Sequence, residues 1–163
     1  YAYVNALGAF ASIAYSAPTT TVFEYNNNNA VTNVAYCFKQ IQGFSKFGQY
    51  YGNGISDGPF VYCGFKPAWV MIKKTNENTN WEIFDTTRNP GNVADLKLGA
   101  NLTVAENGSD LGTTSQNNID INSNGFKART GNTDTNGDFN KFFYMAFAEN
   151  PFVTSTETPT TAR

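Results

Sequence analysis

Ala68-Trp69-Val70-Met71-Ile72-Lys73 is the stretch that decides the fold. Up to its final lysine it is apolar without a break, as a strand buried on both faces should be. Pro67 suits the first position of such a strand, where no ladder N–H is required. Phe142-Phe143-Tyr144-Met145-Ala146-Phe147 is its counterpart near the C-terminus. Working outward, alternating or continuous apolar runs bounded by Gly, Asn and Pro predict strands over 4–7, 22–25, 34–38, 44–51, 58–62, 68–74, 81–85, 96–98, 125–130 and 141–148. The turn formers fall between them: Gly52-Asn53-Gly54, the polar hairpin 76–80, the turn 88–92, and longer loops over 108–118 and 130–140. No segment carries a sustained helical stripe. The Ala-rich 6–14 comes nearest, and Gly8 opposes it. The chain reads as all-β, an antiparallel β-sandwich.

Composition narrows the chemistry. The 163 residues suffice for a real core, with 40% hydrophobic, 15% charged and 15% aromatic residues. Polarity comes from Asn, Thr, Ser and Gly, which make turns without adding charge. A net charge of −2 gives no electrostatic reason to expect nucleic acid. No apolar run approaches the roughly 20 residues that cross a bilayer, so membrane insertion is not expected. His is absent, which removes the usual general base and neutral metal ligand. Cys37 and Cys63 each lie in an apolar run and are expected as buried free thiols, with a disulfide between them left open.

The aromatic side chains have two readings. Trp69 and Trp81 are expected in a shared core with Phe60, Tyr62, Phe65 and Phe84; the rival is an exposed platform on which a sugar stacks. Lys73 and Lys74, ending the strongest strand, are expected to reach outward past it. Arg88 is expected to close its loop by pairing with Asp85. Glu82 and Asp85 are at odd spacing on one strand and so point to opposite faces, unlike the closely paired carboxyls of a retaining glycosidase. No catalytic residue is predicted, and the chain is not expected to be an enzyme. Asn132-Thr133-Asp134-Thr135-Asn136-Gly137-Asp138 alternates oxygen-bearing side chains around a turn. Asp134, Asn136 and Asp138 are therefore candidate Ca2+ ligands, against the plainer account of a solvated loop of turn formers with no cofactor.

The order of several motifs resembles a known family. Gly43-Phe44-Ser45-Lys46-Phe47-Gly48 is followed by Tyr51-Gly52-Asn53-Gly54, Asp57-Gly58-Pro59-Phe60-Val61-Tyr62 and Gly64-Phe65-Lys66-Pro67-Ala68-Trp69. Trp81-Glu82-Ile83-Phe84-Asp85 and Arg88 come next, then Ser123-Asn124-Gly125-Phe126, and last Tyr144-Met145-Ala146-Phe147-Ala148-Glu149-Asn150-Pro151-Phe152. This arrangement resembles a domain of unknown function found in tail-fibre and other structural proteins of bacteriophages, many from marine or aquatic hosts. The resemblance covers most of 31–152. It implies a jelly-roll or lectin-like sandwich in a virion, outside the cell, and brings no catalytic residue with it. It also implies a tail-fibre or related appendage acting in assembly and host-surface attachment. The expected partners are other virion subunits in a homo-oligomer, a trimer by the habit of tail fibres, and a host-surface glycan. A carbohydrate-binding or adhesin module of a secreted protein is the alternative function, followed by a glycan depolymerase.

Loops are the expected contact regions: 52–57, 76–80 and 130–140, with Tyr51, Asn53, Asp57, Asn78 and Asn80 as ligand-binding candidates. Amides bond sugar hydroxyls without charge, and aromatic rings stack on sugar faces. The start of the chain carries a partial repeat. Leu7-Gly8-Ala9 recurs as Leu98-Gly99-Ala100, and Cys37-Phe38-Lys39-Gln40 sits where Ala146-Phe147-Ala148-Glu149 does. With Tyr1 in place of an initiator Met, the expectation is the tail end of a longer modular protein. Residues 1–42 would be the second half of a preceding repeat or strands completing the sandwich, 43–152 the sandwich, and 153–163 a peripheral tail.

Overall fold

A computed structural model describes residues 7–10, 19–22, 36–106 and 118–151. The strands are β1 (Ser45–Tyr51), β2 (Phe60–Tyr62), β3 (Pro67–Lys74), β4 (Glu82–Asp85), β5 (Leu98–Gly99), β6 (Ile119–Asn122), β7 (Gly125–Ala128) and β8 (Lys141–Ala148). One helical turn, α1 (Thr133–Asn136), lies between β7 and β8. A five-stranded sheet runs β1-β8-β3-β4-β5 and a three-stranded sheet runs β2-β7-β6, with every pairing antiparallel. The protein is an antiparallel β-sandwich. Its chain folds back on itself as in a jelly roll, β1 pairing with β8 and β2 with β7, while β4 and β5 stay in the sheet of β3.

Alternation sorts the side chains. Tyr50, Phe142, Tyr144, Ala146, Val70, Ile72 and Phe84 point inward from the large sheet and meet Val61, Ile119, Ile121 and Phe126 from the small one. Tyr50 stacks on Phe142 at 5.1 Å, and Phe126 meets Tyr144 edge-on at 5.4 Å. Ile119-Asp120-Ile121-Asn122 forms β6 inside a stretch rich in Asn, where no strand is expected from sequence. Its outer edge is occupied by Asn92, whose side chain both donates to the Ile121 carbonyl and accepts from its N–H at 3.0 and 2.9 Å.

The outer face of the large sheet is also apolar, and this corrects the reading of the tryptophans. Trp69 contacts Phe147 at 5.7 Å, and Phe147 also meets Phe38, Phe44 and Phe47. Trp81 packs with Phe10 and Phe143. The two tryptophans therefore lie on the face turned away from the sandwich core, whereas Phe65 and Phe84 are inside it and Phe60 and Tyr62 are exposed. Residues 7–10 cover part of that outer face: Phe10 N–H donates to the Thr75 carbonyl and Thr79 N–H to the Leu7 carbonyl. Residues 36–40 carry no strand, and Cys37 is exposed there rather than buried. Cys63 is the buried thiol, and both cysteines are free. The strands expected over 4–7 and 22–25 lie mostly outside the described residues and 153–163 wholly so, whereas the described part of the strand expected over 34–38, residues 36–38, carries no strand.

Lys73 and Lys74 do not reach outward. Both are fully buried, because the 75–79 turn folds over the end of β3. Lys73 Nζ donates to the Lys74 and Glu77 carbonyls and the Thr79 hydroxyl, and Lys74 Nζ to Glu77 Oε2 at 2.7 Å. The ammonium groups thus fasten the turn to the end of β3.

Candidate functional site

Three loops that are far apart in sequence meet at one end of the sandwich, and Asn136 joins two of them directly. Its side-chain Nδ2 donates to Asn53 Oδ1, the Ile55 carbonyl and the Thr130 carbonyl at 2.9, 2.8 and 2.9 Å. Its Oδ1 accepts from Asn53 N–H, and its own carbonyl accepts from Gly54 N–H. The loop 52–57 is thereby fastened to the loop 130–140. The approach is so close that a Cβ on Gly52 would lie 2.3 Å from the Gly137 carbonyl oxygen. The third loop is tied on by Asn76, whose Nδ2 donates to Asn140 Oδ1 at 3.0 Å, and by Thr75, whose N–H and hydroxyl both donate to the Lys141 carbonyl.

Local sequence explains the helical turn inside the second loop. Asn132 adopts extended backbone and caps α1 by accepting from Asp134 N–H at 3.0 Å. Thr135 and Asn136 are fully buried by it, and Tyr50 hydroxyl donates to the Thr135 carbonyl at 2.6 Å. The Ca2+ candidates therefore do not form an extended ligating loop. Asn136 is turned inward onto protein groups, Asp138 is exposed beside Gly54, and Asp134 is half-buried on α1. Among the described residues no group of three or more His, Cys, Asp or Glu is placed to hold a metal ion.

The ligand-binding candidates divide. Tyr51 is 64% exposed, with Lys141 Nζ 6.0 Å from its ring centre. Asn53 is exposed, yet its side chain is engaged by Asn136, Ile55 N–H and the Asp57 carbonyl. Asp57 pairs with Lys127 at 2.6 Å, and that hydrogen bond and charge hold its carboxyl below the ordinary value. These three belong to the joined loops. Asn78 accepts from Ala9 N–H, and Asn80 accepts from Asn101 Nδ2 at 2.9 Å, so both brace neighbouring segments instead.

Phe139 is the residue that sequence reasoning missed. It is 86% exposed and has φ of 55°, the left-handed region. Asn140 N–H donates to the Gly137 carbonyl across this turn, putting Phe139 at its third position, where Gly or Asn suits a positive φ. The signal was legible: a lone aromatic between Asp138 and Asn140 has no strand to bury it. Tyr51 and Ile55, 64% and 56% exposed, are the other large hydrophobic side chains left open at this end, above a hydrogen-bonded base.

A buried ionic group lies beneath. Glu82 and Lys97 are fully buried on the inner side of β4 and just before β5. Burial lowers the Lys97 proton affinity, while Glu82, Asp134 and Asp95 pull the other way. Tyr50 is pushed well above its ordinary value by burial and by Glu82. On the opposite side of β4, Asp85 accepts from Arg88 N–H and pairs with its guanidinium, which also meets Glu106. Burial raises the Asp85 carboxyl, and the Arg88 and Thr87 contacts outweigh it to leave the group below its ordinary value. The two carboxylates do face opposite ways.

Comparison with curated proteins and with solved structures gives no match. A family described as a domain of unknown function, DUF7483, matches residues 3–151, and the chain belongs to that family.

Proposed function

We propose that the chain is a non-enzymatic structural module of a bacteriophage virion, a segment of a tail fibre or related appendage, and that its loop end is the contact surface. The virion setting is supported by the resemblance carried by the motifs from Gly43 to Phe152. The contact role is supported above all by Phe139, an aromatic side chain 86% exposed on a left-handed backbone. Such a conformation costs a bulky residue about 1 kcal/mol, and an exposed ring earns no packing in return, so contact with another molecule is its natural use. The amide-locked base beneath keeps the tip pre-organised, which lowers the entropy lost on binding. The partner is a host-surface glycan or a neighbouring subunit in a homo-oligomer such as a trimer.

An array of bacterial surface polysaccharides, probed with the isolated chain and with Phe139→Ala, tests the attachment role. Binding by the wild type that is lost in the variant supports it. Equal binding by both removes the loop end from attachment, and new reducing ends released from a bound polysaccharide would replace the module with a depolymerase.

A further inference from the structure

Two aromatic rings stand on the solvent face of the small sheet, away from the loop tip. Phe60 and Tyr62 alternate with buried Val61 along β2 and are 46% and 62% exposed. Alternate residues on a strand stand about 6.7 Å apart on one face. The register places Phe60, Lys127 and Asp120 in one row across the sheet, and Tyr62, Gly125 and Asn122 in the next. Gly125 puts no side chain in the middle of the second row: a Cβ there would lie 2.1 Å from the Val61 carbonyl oxygen and 3.1 Å from Phe60 Cζ, so the β2 backbone and the Phe60 ring close over that position. The solvent face therefore carries exposed aromatic rings on the β2 side and polar Asp120 and Asn122 on the β6 side.

The charges around it are matched. Lys127 Nζ lies 2.6 Å from Asp57 Oδ1, and Arg129 Nε lies 3.2 Å from Asp120 Oδ2. A charged polymer would have to displace one of these partners, and the surroundings offer it no net field. A purely apolar ligand would strip water from the polar side without replacing its hydrogen bonds. What fits is an uncharged molecule with C–H faces for the rings and hydroxyls for the carboxylate, amide and guanidinium groups.

We propose that the exposed Phe60–Tyr62 face is a binding site for neutral carbohydrate. It does not depend on the loop-end contact, and its test reads different residues. The full chain is run by affinity electrophoresis through gels containing dextran, a β-glucan, mannan or galactan, with dextran sulfate as the charged comparison. At least one neutral polymer should retard the wild type. Tyr62→Ala and Phe60→Ala should each weaken that retardation about tenfold, and Tyr36→Ser, an exposed tyrosine elsewhere, should leave it intact. Tyr62→Ala is the deciding variant if loss of the Phe60 ring over Gly125 impairs folding. No retardation by any neutral polymer, retardation by dextran sulfate alone, or unchanged retardation of Tyr62→Ala would each overturn the assignment.

Discussion

Asn136 commits its entire carboxamide to the loops around it. Replacing it with Ala removes the donors serving Ile55, Thr130 and Asn53 and the acceptor serving Asn53 N–H. Leaving several part-buried groups unmet should cost about 2 kcal/mol in denaturant unfolding; a loss under about 1 kcal/mol would show that water replaces the side chain. Phe139 makes the opposite case. Phe139→Asn relieves the left-handed backbone and should stabilise the fold by about 0.5–1 kcal/mol, while weakening any contact made through the tip. Cys63 supplies a pH test. Burial raises its thiol from the ordinary value to about 12, so the folded chain keeps a proton that the unfolded chain releases above about 9. Its contribution to stability is therefore complete below pH 9 and falls from pH 9 to 12. At pH 8 a thiol reagent should modify exposed Cys37 alone in the native protein, and both cysteines in denaturant.

At the scale of elements, the outer face of the large sheet depends on what covers it. Phe10 lies 6.0 Å from Trp81 and 5.7 Å from Phe143 by ring centres. Phe10→Ala should lower stability by about 1–2 kcal/mol and shift tryptophan emission to the red; unchanged emission would mean that residues 7–10 do not shield Trp81. The helical turn α1 makes a separate prediction. With Asn136 facing inward, adding calcium or a chelator should leave the melting temperature unchanged, whereas a rise of several degrees would reveal a cation bound to the native state. Sequence made β3 and β8 plain, because long apolar runs need two covered faces. It did not say what lay on each face. A continuous apolar run carries no period, so the sequence does not distinguish a Trp69 on the outer face, or an exposed Phe60 and Tyr62, from residues of a shared core. β6 was hidden because its two isoleucines sit among turn formers, and the edge partner that secures it, Asn92, is remote in sequence.

Over the whole molecule, the nested pairing of β1 with β8 and β2 with β7 brings distant loops to one end. That convergence explains why the expected loops 52–57 and 130–140 form one surface, with the hairpin 76–80 braced beside them. Their amides, expected to face a ligand, mostly hold one another, because a close approach of backbones creates more buried donors and acceptors than the backbone alone can satisfy. The exposed tip is left to Tyr51, Ile55 and Phe139. Hydroxyl-radical footprinting tests that surface most directly, comparing the free chain with the chain in an assembly of its own copies or on a polysaccharide that retains it. The account predicts strong labelling of Phe139 and Tyr51 in the free chain and protection of both on engagement. Protection confined to other faces, with Phe139 labelled as before, would contradict it.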